Sequence, residues 1–370
     1  VVEAANTLSK VVRDEDVLSR YTHESFTVIA IGYSKDNIES YASELQKAIS
    51  QLETSIKGSS INTTCCIGIS LIDKDSPEYN DILARSEKAV ASATKKGANQ
   101  IFTYTPEKGE LTRHEIDAKF KEQLTDALKN DRFVLHHQPI VSLHGDTDER
   151  YEVFVRMESE GDHGLVMPQD FLPAAERIGM AIAIDRWVLY RTIQEFGNRL
   201  KQGKKTRFFI KLSASSLKDD TLVDWLSYQI KEKKIPANTL NFEVKETVAV
   251  TNLKSTKTLS HKLKALQCGF ILDDFGTGTN PFQLLEHIHA DYVRLEASFM
   301  ENLAENPQNQ ESIKNIAEQA TELGKLTIAQ HVPDATSLSL LWGMGVNFIQ
   351  GYFLQEPLPE MEYDFTEMSG

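Results

Sequence analysis

The sequence predicts an α/β protein, with a (β/α)8-type barrel in its C-terminal two-thirds and a smaller α/β unit before it. Three observations carry this prediction. Short apolar runs alternate with helical stretches through the C-terminal part. Eight such runs fall within roughly 240 residues, the size of a barrel of this kind. Acidic residues stand at the ends of several runs, where such a barrel carries its functional groups. An open doubly wound sheet is the competing architecture. A chain of 370 residues is long for one domain and divides naturally into two.

In chain order, an amphipathic opening (Val1, Leu8, Val11, Val12) runs into Asp14-Glu15-Asp16. Leu18 to Tyr21 and Phe26 to Ile31 read as strands joined by a tight turn at Thr22 to Ser25. Ile38, Tyr41, Leu45 and Ile49 have helical spacing. A strand over Thr63 to Ile72, a helix over Tyr79 to Lys95 and a strand over Gln100 to Tyr104 complete the first unit, residues 1–105. That unit begins abruptly and has few strands, so the expectation is a domain lacking its N-terminal part. Thr105-Pro106-Glu107-Lys108-Gly109 has linker composition, and with the helix from about Thr112 to Lys129 it makes a connection over residues 106–130. The barrel strands are expected at Phe133 to Leu143, Glu152 to Met157, Arg207 to Leu212, Leu240 to Val244, Phe270 to Leu272, Tyr292 to Leu295, Leu326 to Ala329 and Phe348 to Gln350.

Composition excludes several functions. A net charge of −14 argues against a nucleic-acid coat and against binding to anionic membranes, both of which need clustered Lys and Arg. No apolar run is long enough to span a bilayer and no signal peptide is visible, so the expectation is a cytoplasmic protein without membrane insertion. Cys65, Cys66 and Cys268 form neither a disulfide framework nor a zinc spacing.

The chemistry gathers at strand ends. Glu152 opens a strand, Glu243 and Glu246 close another, and Asp273-Asp274 follow Phe270-Ile271-Leu272. Lys211, Arg294, Gln330 and Gln350 hold comparable positions. Like charges converging on one mouth need compensation. Hard divalent cations, which prefer oxygen ligands, are the general solution, and two of them can clamp a phosphodiester. Taken singly, each acid reads more readily as a solvated or salt-bridged side chain, and it is their joint placement on different strands that points to a site.

The barrel segment, residues 112–362, resembles an EAL domain, the family of cyclic di-GMP phosphodiesterases and their inactive receptor relatives. The resemblance rests on His137-Gln138-Pro139-Ile140, Tyr151-Glu152-Val153-Phe154-Val155-Arg156, Asp170-Phe171-Leu172-Pro173-Ala174-Ala175-Glu176, Ile184-Asp185-Arg186-Trp187, Asp273-Asp274-Phe275-Gly276-Thr277-Gly278 and Gln350-Gly351-Tyr352. It implies that Glu152, Glu243, Asp273 and Asp274 are remnants of a metal site. It also implies four departures: Lys211 stands for the metal-binding Asn, Arg294 for the Lys that positions the attacking water, Gln330 for a Glu, and Pro333 for the second Glu of that same motif. Lysine offers donors only, where a metal needs a lone pair. Arg is not a neutral replacement for a compact Lys charge. The expectation is a degenerate site without catalysis and with no required metal or cofactor. Lys211 then either forms a salt bridge in a retired site or meets a ligand phosphate. By the same resemblance, cyclic di-GMP is bound by Gln138, Glu152, Phe154, Arg156, Pro168, Asp185, Lys211, Glu243, Asp273, Asp274, Gln330 and Gln350. Arg156 suits a phosphate or guanine edge, Asp185 the donor edge of guanine, and Phe154 a stacked base.

Residues 1–105 resemble the C-terminal portion of a GGDEF domain, the cyclic di-GMP synthase family. Arg20-Tyr21-Thr22-His23-Glu24-Ser25-Phe26 stands where that family carries its signature, with Thr22 and His23 replacing glycines and Ser25 replacing an acid. Synthesis is therefore not expected. Arg13 and Asp16 match the spacing of that family's inhibitory site. A degenerate GGDEF unit joined to a degenerate EAL unit implies a receptor of type IV pilus assembly and twitching motility, with a PilZ-type adaptor as partner. It further implies a place at the cell pole and is compatible with a homodimer. A residual phosphodiesterase and a non-binding scaffold remain as alternatives.

Overall fold

The computed structural model describes residues 2–21, 25–56, 59–74, 76, 79–105, 113–159, 164–278 and 280–366. Thr22, His23 and Glu24 of the expected signature turn and all but the first residue of the expected linker lie outside these residues. The chain divides into two compact units, Val1–Ile116 and Asp117–Gly370.

In the first unit, α1 (Val2–Val11) precedes the antiparallel pair β1 (Val17–Arg20) and β2 (Phe26–Ile29). Helix α2 (Ile38–Ser50) buries Ile38, Tyr41, Ala42, Leu45 and Ile49, the face its spacing predicts. The expected strand over Thr63 to Ile72 is confined to β5 (Ile67–Ile69). An unforeseen hairpin, β3 (Glu53–Ile56) with β4 (Ser59–Asn62), comes before it. Helix α3 (Tyr79–Lys96) crosses over to β6 (Ile101–Thr103), parallel to β5. The β5–α3 approach requires Gly68, because a Cβ there would lie 2.3 Å from the Ser86 carbonyl oxygen.

The second unit begins within α4 (Arg113–Lys129). Its strands are β7 (Phe133–Pro139), β8 (Val141–Ser142), β9 (Glu149–Glu158), β10 (Leu165–Val166), β11 (Thr206–Lys211), β12 (Leu240–Lys245), β13 (Gly269–Phe275), β14 (Tyr292–Leu295), β15 (Leu326–Ala329) and β16 (Phe348–Ile349). The helices are α5 (Pro168–Arg177), α6 (Ala181–Lys201), α7 (Asp220–Lys233), α8 (Glu246–Thr251), α9 (Leu253–Ala265), α10 (Pro281–Leu285), α11 (Pro307–Glu322) and α12 (Ala335–Gly343). Strands β9, β11, β12, β13, β14, β15 and β16 run parallel in that order, and β7–β8 bridges β16 back to β9, so the sheet nearly closes.

One expectation needs correcting. The run Phe133 to Leu143 is not a single parallel barrel strand. It is β7 and β8, each antiparallel to its neighbour. The link from Ser142 to Glu149 is too short for a crossover helix, so the chain can only turn back as a hairpin.

The interior is layered. Ile140, Phe209, Ile271, Tyr292, Ile328 and Phe348 fill the middle as a separate apolar cluster. At the floor, buried Arg150 pairs with Asp146 and lies over the Phe348 ring, 4.8 Å from its centroid. Inward positions one step beyond the apolar layer carry Gln138, Lys211, Asp273, Arg294, Gln330 and Gln350, because side chains two apart on a strand share a face, and Glu152 and Glu243 join them two residues after Arg150 and Asn241.

Candidate functional site

The expected acidic residues do meet at one mouth, and cations are built in among them. Arg294 is fully buried and bonds both Glu152, through Nη1, and Glu243, whose Oε1 lies 2.6 Å from its Nη2. Lys211 Nζ sits 3.2 Å from Glu152 Oε1 and 3.1 Å from Asp273 Oδ2. Lys245 Nζ is 2.8 Å from Asp274 Oδ2. Gln330 Nε2 donates to Asp274 Oδ1 at 3.1 Å and to the Leu295 carbonyl at 3.0 Å. Gln350 Nε2 donates to Glu152 Oε2 at 2.5 Å and to Gln138 Oε1 at 2.8 Å, and Gln138 donates onward to the Gln355 carbonyl at 2.9 Å. Four carboxylates therefore face three cations and three amides.

Consecutive strand residues ordinarily point to opposite faces. Asp273 and Asp274 both reach the mouth because the β13–β14 register shifts between Leu272 and Phe275 and Asp274 takes a left-handed backbone, φ 51°. Glu246 Oε2 holds the next turn by accepting from the Gly276 amide at 2.9 Å.

Burial raises the carboxyls of Glu152, Glu243 and Asp273, and the cations counter it unequally. Arg294 and then Lys211 outweigh burial at Glu152 and hold it below its ordinary value. Lys211 and then Arg294 do the same for Asp273. Glu243 touches Arg294 alone and feels Lys211 more weakly, so burial and the neighbouring carboxylates push it up to about 8. Burial opposes the charge on Lys211 and Arg294, but the surrounding carboxylates win and raise both.

Beside the ring, Phe154 is half-buried. Its ring centroid is 5.4 Å from the Arg156 guanidinium and 6.0 Å from Lys211 Nζ. Asp185 Oδ2 accepts from the Ser213 amide at 2.9 Å and from Ser216 Oγ at 2.6 Å. Burial pushes Asp185 up to about 6, against those hydrogen bonds. Pro168 opens α5 and takes no part in the ring. Sequence reasoning passed over Lys245 and Glu176. Two-residue alternation from Glu243 places Lys245 on the same face, a signal that was available. Glu176 holds the loop after β11, accepting from the Ala214 amide at 3.2 Å and Ser215 Oγ at 2.6 Å.

In the first unit, Arg13 and Asp16 engage each other. Arg13 Nε lies 3.2 Å from Asp16 Oδ2, Arg13 donates to the Ile31 carbonyl at 2.8 Å, and its guanidinium lies 4.2 Å from the Tyr33 ring centroid. Asp16 also accepts from the Ile31 amide at 2.8 Å. The pair clasps the ends of α1 and β2 together. Among the described residues, no cluster of His, Cys, Asp and Glu side chains is arranged to hold a metal ion, and no helix is long and apolar enough to cross a membrane.

Residues 121–357 match the family model of the EAL domain, and residues 1–100 match that of the diguanylate cyclase GGDEF domain. The chain belongs to the EAL family. It is similar to the FimX EAL domain of Pseudomonas aeruginosa in a structure bound to c-di-GMP, at 36% identity and TM-score 0.63 over 66% of this chain and 99% of that one. The Xanthomonas citri FimX EAL domain, in complex with c-diGMP, is 32% identical with TM-score 0.64 over 68% of this chain and 98% of that one. The cyclic di-GMP phosphodiesterase PdeR of Escherichia coli is 26% identical over 350 residues, 95% of this chain and 52% of that protein. This chain spans about half the length, or less, of the curated relatives it matches.

Proposed function

We propose that this chain is a cyclic di-GMP receptor that holds the dinucleotide at the mouth of its EAL barrel without hydrolysing it. The observation that carries this reading is Arg294, sealed between Glu152 and Glu243, with Lys211 between Glu152 and Asp273. A pair of divalent ions does not fit this donor set. The carboxylate oxygens they would use are turned to ammonium and guanidinium groups, and Lys211 and Gln330 place N–H donors where lone pairs are needed. Recognition groups remain: Gln138, Phe154, Arg156, Pro168, Asp185, Glu243 and Gln350 are the proposed contacts, with Asp274 and Gln330 completing the pocket. Asp185 is the acceptor for the donor edge of guanine, Arg156 the fork for a phosphate or base edge, and Phe154 the stacking platform.

A residual phosphodiesterase is the second reading, favoured by the retention of all four acids and by relatives named as phosphodiesterases. The FimX similarity supports a finer proposal: signalling through a PilZ-type adaptor in type IV pilus assembly and twitching motility.

Calorimetric titration with cyclic di-GMP in chelator, then with Mg²⁺ or Mn²⁺, tests the reading, with chromatography to detect linear product. Binding in chelator without product in metal is the expected result. Turnover with metal would establish the enzyme, and absence of heat in both conditions would leave a scaffold.

A further inference from the structure

Three cations serve the ring, and they are not equivalent. Arg294 is fully buried, and its two terminal nitrogens are bonded to Glu152 and Glu243. It balances charge and cannot reach a ligand. The Lys211 and Lys245 side chains are 44% and 58% exposed. They stand on the adjacent strands β11 and β12, where Lys211 is in register with Glu243 and Lys245 with Asp273. Each is anchored by one member of the consecutive acid pair: Lys211 by Asp273 at 3.1 Å and Lys245 by Asp274 at 2.8 Å. The bulge that turns both acids to the mouth therefore also sets the two ammonium groups there.

We propose that Lys211 and Lys245 form a two-point clamp for the phosphodiester of the nucleotide, each ammonium held by one aspartate and presenting its remaining N–H donors to a phosphate oxygen. An ammonium has three donors. Ion pairs draw Lys211 toward two carboxylates, Glu152 and Asp273, and Lys245 toward one, Asp274. Both retain a donor for a ligand. Phe154 puts an aromatic face 6.0 Å from Lys211 Nζ. A base stacked there would place its attached phosphate beside the first ammonium. An exposed Lys–Asp pair on an ordinary surface contributes little and marks nothing. Here the anchors differ: Asp273 is buried and its partner lysine cannot leave without stranding it, and Asp274, though partly exposed, is fixed in place by donation from Gln330 at 3.1 Å. The clamp rests on the receptor reading and adds to it the chain's own means of holding phosphate.

The test is calorimetric titration of the full chain with cyclic di-GMP in chelator, at about 50 and about 300 mM salt, a range over which exposed charges become strongly screened. Lys211→Gln and Lys245→Gln should each weaken binding roughly tenfold or more, the loss expected for one charge-assisted hydrogen bond. The double variant should lose most of the wild-type salt dependence, which a merely structural role would not move. If Lys211→Gln fails to fold, Lys245→Gln decides the matter alone, because its side chain is the more exposed. Wild-type binding with unchanged affinity and salt dependence in Lys245→Gln would overturn the clamp and leave the receptor standing. Absence of wild-type binding in chelator would overturn the receptor reading itself.

Discussion

Replacing Arg294 with methionine removes the one fully buried cation of the ring while keeping much of the side-chain volume. Two charge-assisted hydrogen bonds go with it, to Glu152 and Glu243. Glu152 keeps Lys211 at 3.2 Å and donation from Gln350 at 2.5 Å, so its loss is partly covered. Glu243 is left with no cation in contact and an Oε2 that already lacks a hydrogen-bond partner. Stranding one partner of a buried ion pair costs about 3–5 kcal/mol. Protonation limits that cost, because Glu243 already sits up at about 8 and rises further without Arg294. The expected loss at neutral pH is thus at the lower end, about 3 kcal/mol. The pH dependence has a definite sign. A carboxyl whose folded pKa exceeds its unfolded value contributes stability below the unfolded pKa and loses it as pH rises through the folded one. The Arg294→Met deficit should therefore be smaller at pH about 6 than at pH about 9. Urea denaturation followed by tryptophan fluorescence measures it, since all three tryptophans (Trp187, Trp225, Trp342) lie in the barrel unit. A loss below about 1 kcal/mol, typical of an exposed pair, would refute the account of Arg294 as a sealed counter-charge.

Three further outcomes follow from the geometry. Arg156→Ala should weaken cyclic di-GMP binding at least tenfold by calorimetry, given roughly 1.5–3 kcal/mol for a charge-assisted contact; unchanged affinity would mean the ligand lies elsewhere. Because burial pushes Asp185 up to about 6 and guanine's donor edge needs the ionised form, affinity should fall as pH drops through about 6, and Asp185→Asn should flatten that profile. Gly351→Ala would bring a Cβ to 2.4 Å from the Val332 carbonyl oxygen, forcing the loops after β15 and β16 apart. A melting-temperature drop equivalent to about 1–3 kcal/mol is expected, and an unshifted melt would show that the loops yield freely.

The alternation of apolar runs and helices made the barrel legible, and the placement of acids at run ends made its mouth legible. Both signals come from local periodicity, which a sequence displays directly. Reversal of the first barrel strand was also within reach, since the segment between Ser142 and Glu149 leaves no room for a crossover. The partnering of charges was not. That Arg294 would reach across the barrel to Glu152, 142 positions away in the chain, depends on closure of the sheet. The re-aiming of Asp274 depends on a bulge that no residue pattern announces, as Asp is only one of several types that tolerate a left-handed backbone. In the first unit, the Arg13–Asp16 spacing matches that of an inhibitory site, but the contacts both groups make with Ile31 and with each other depend on the return of β2 and could not be read from it.

The apolar cluster of Ile140, Phe209, Ile271, Tyr292, Ile328 and Phe348 lies between the ion pairs of the mouth and those around Arg150 at the floor. It keeps water out of the space between them. Without that screening, each end feels the other's charge through a low dielectric, more strongly than it would through solvent. Arg150 and Glu152 stand only two residues apart on β9, on one inward face. Charge substitutions at the two ends should therefore couple and not simply add.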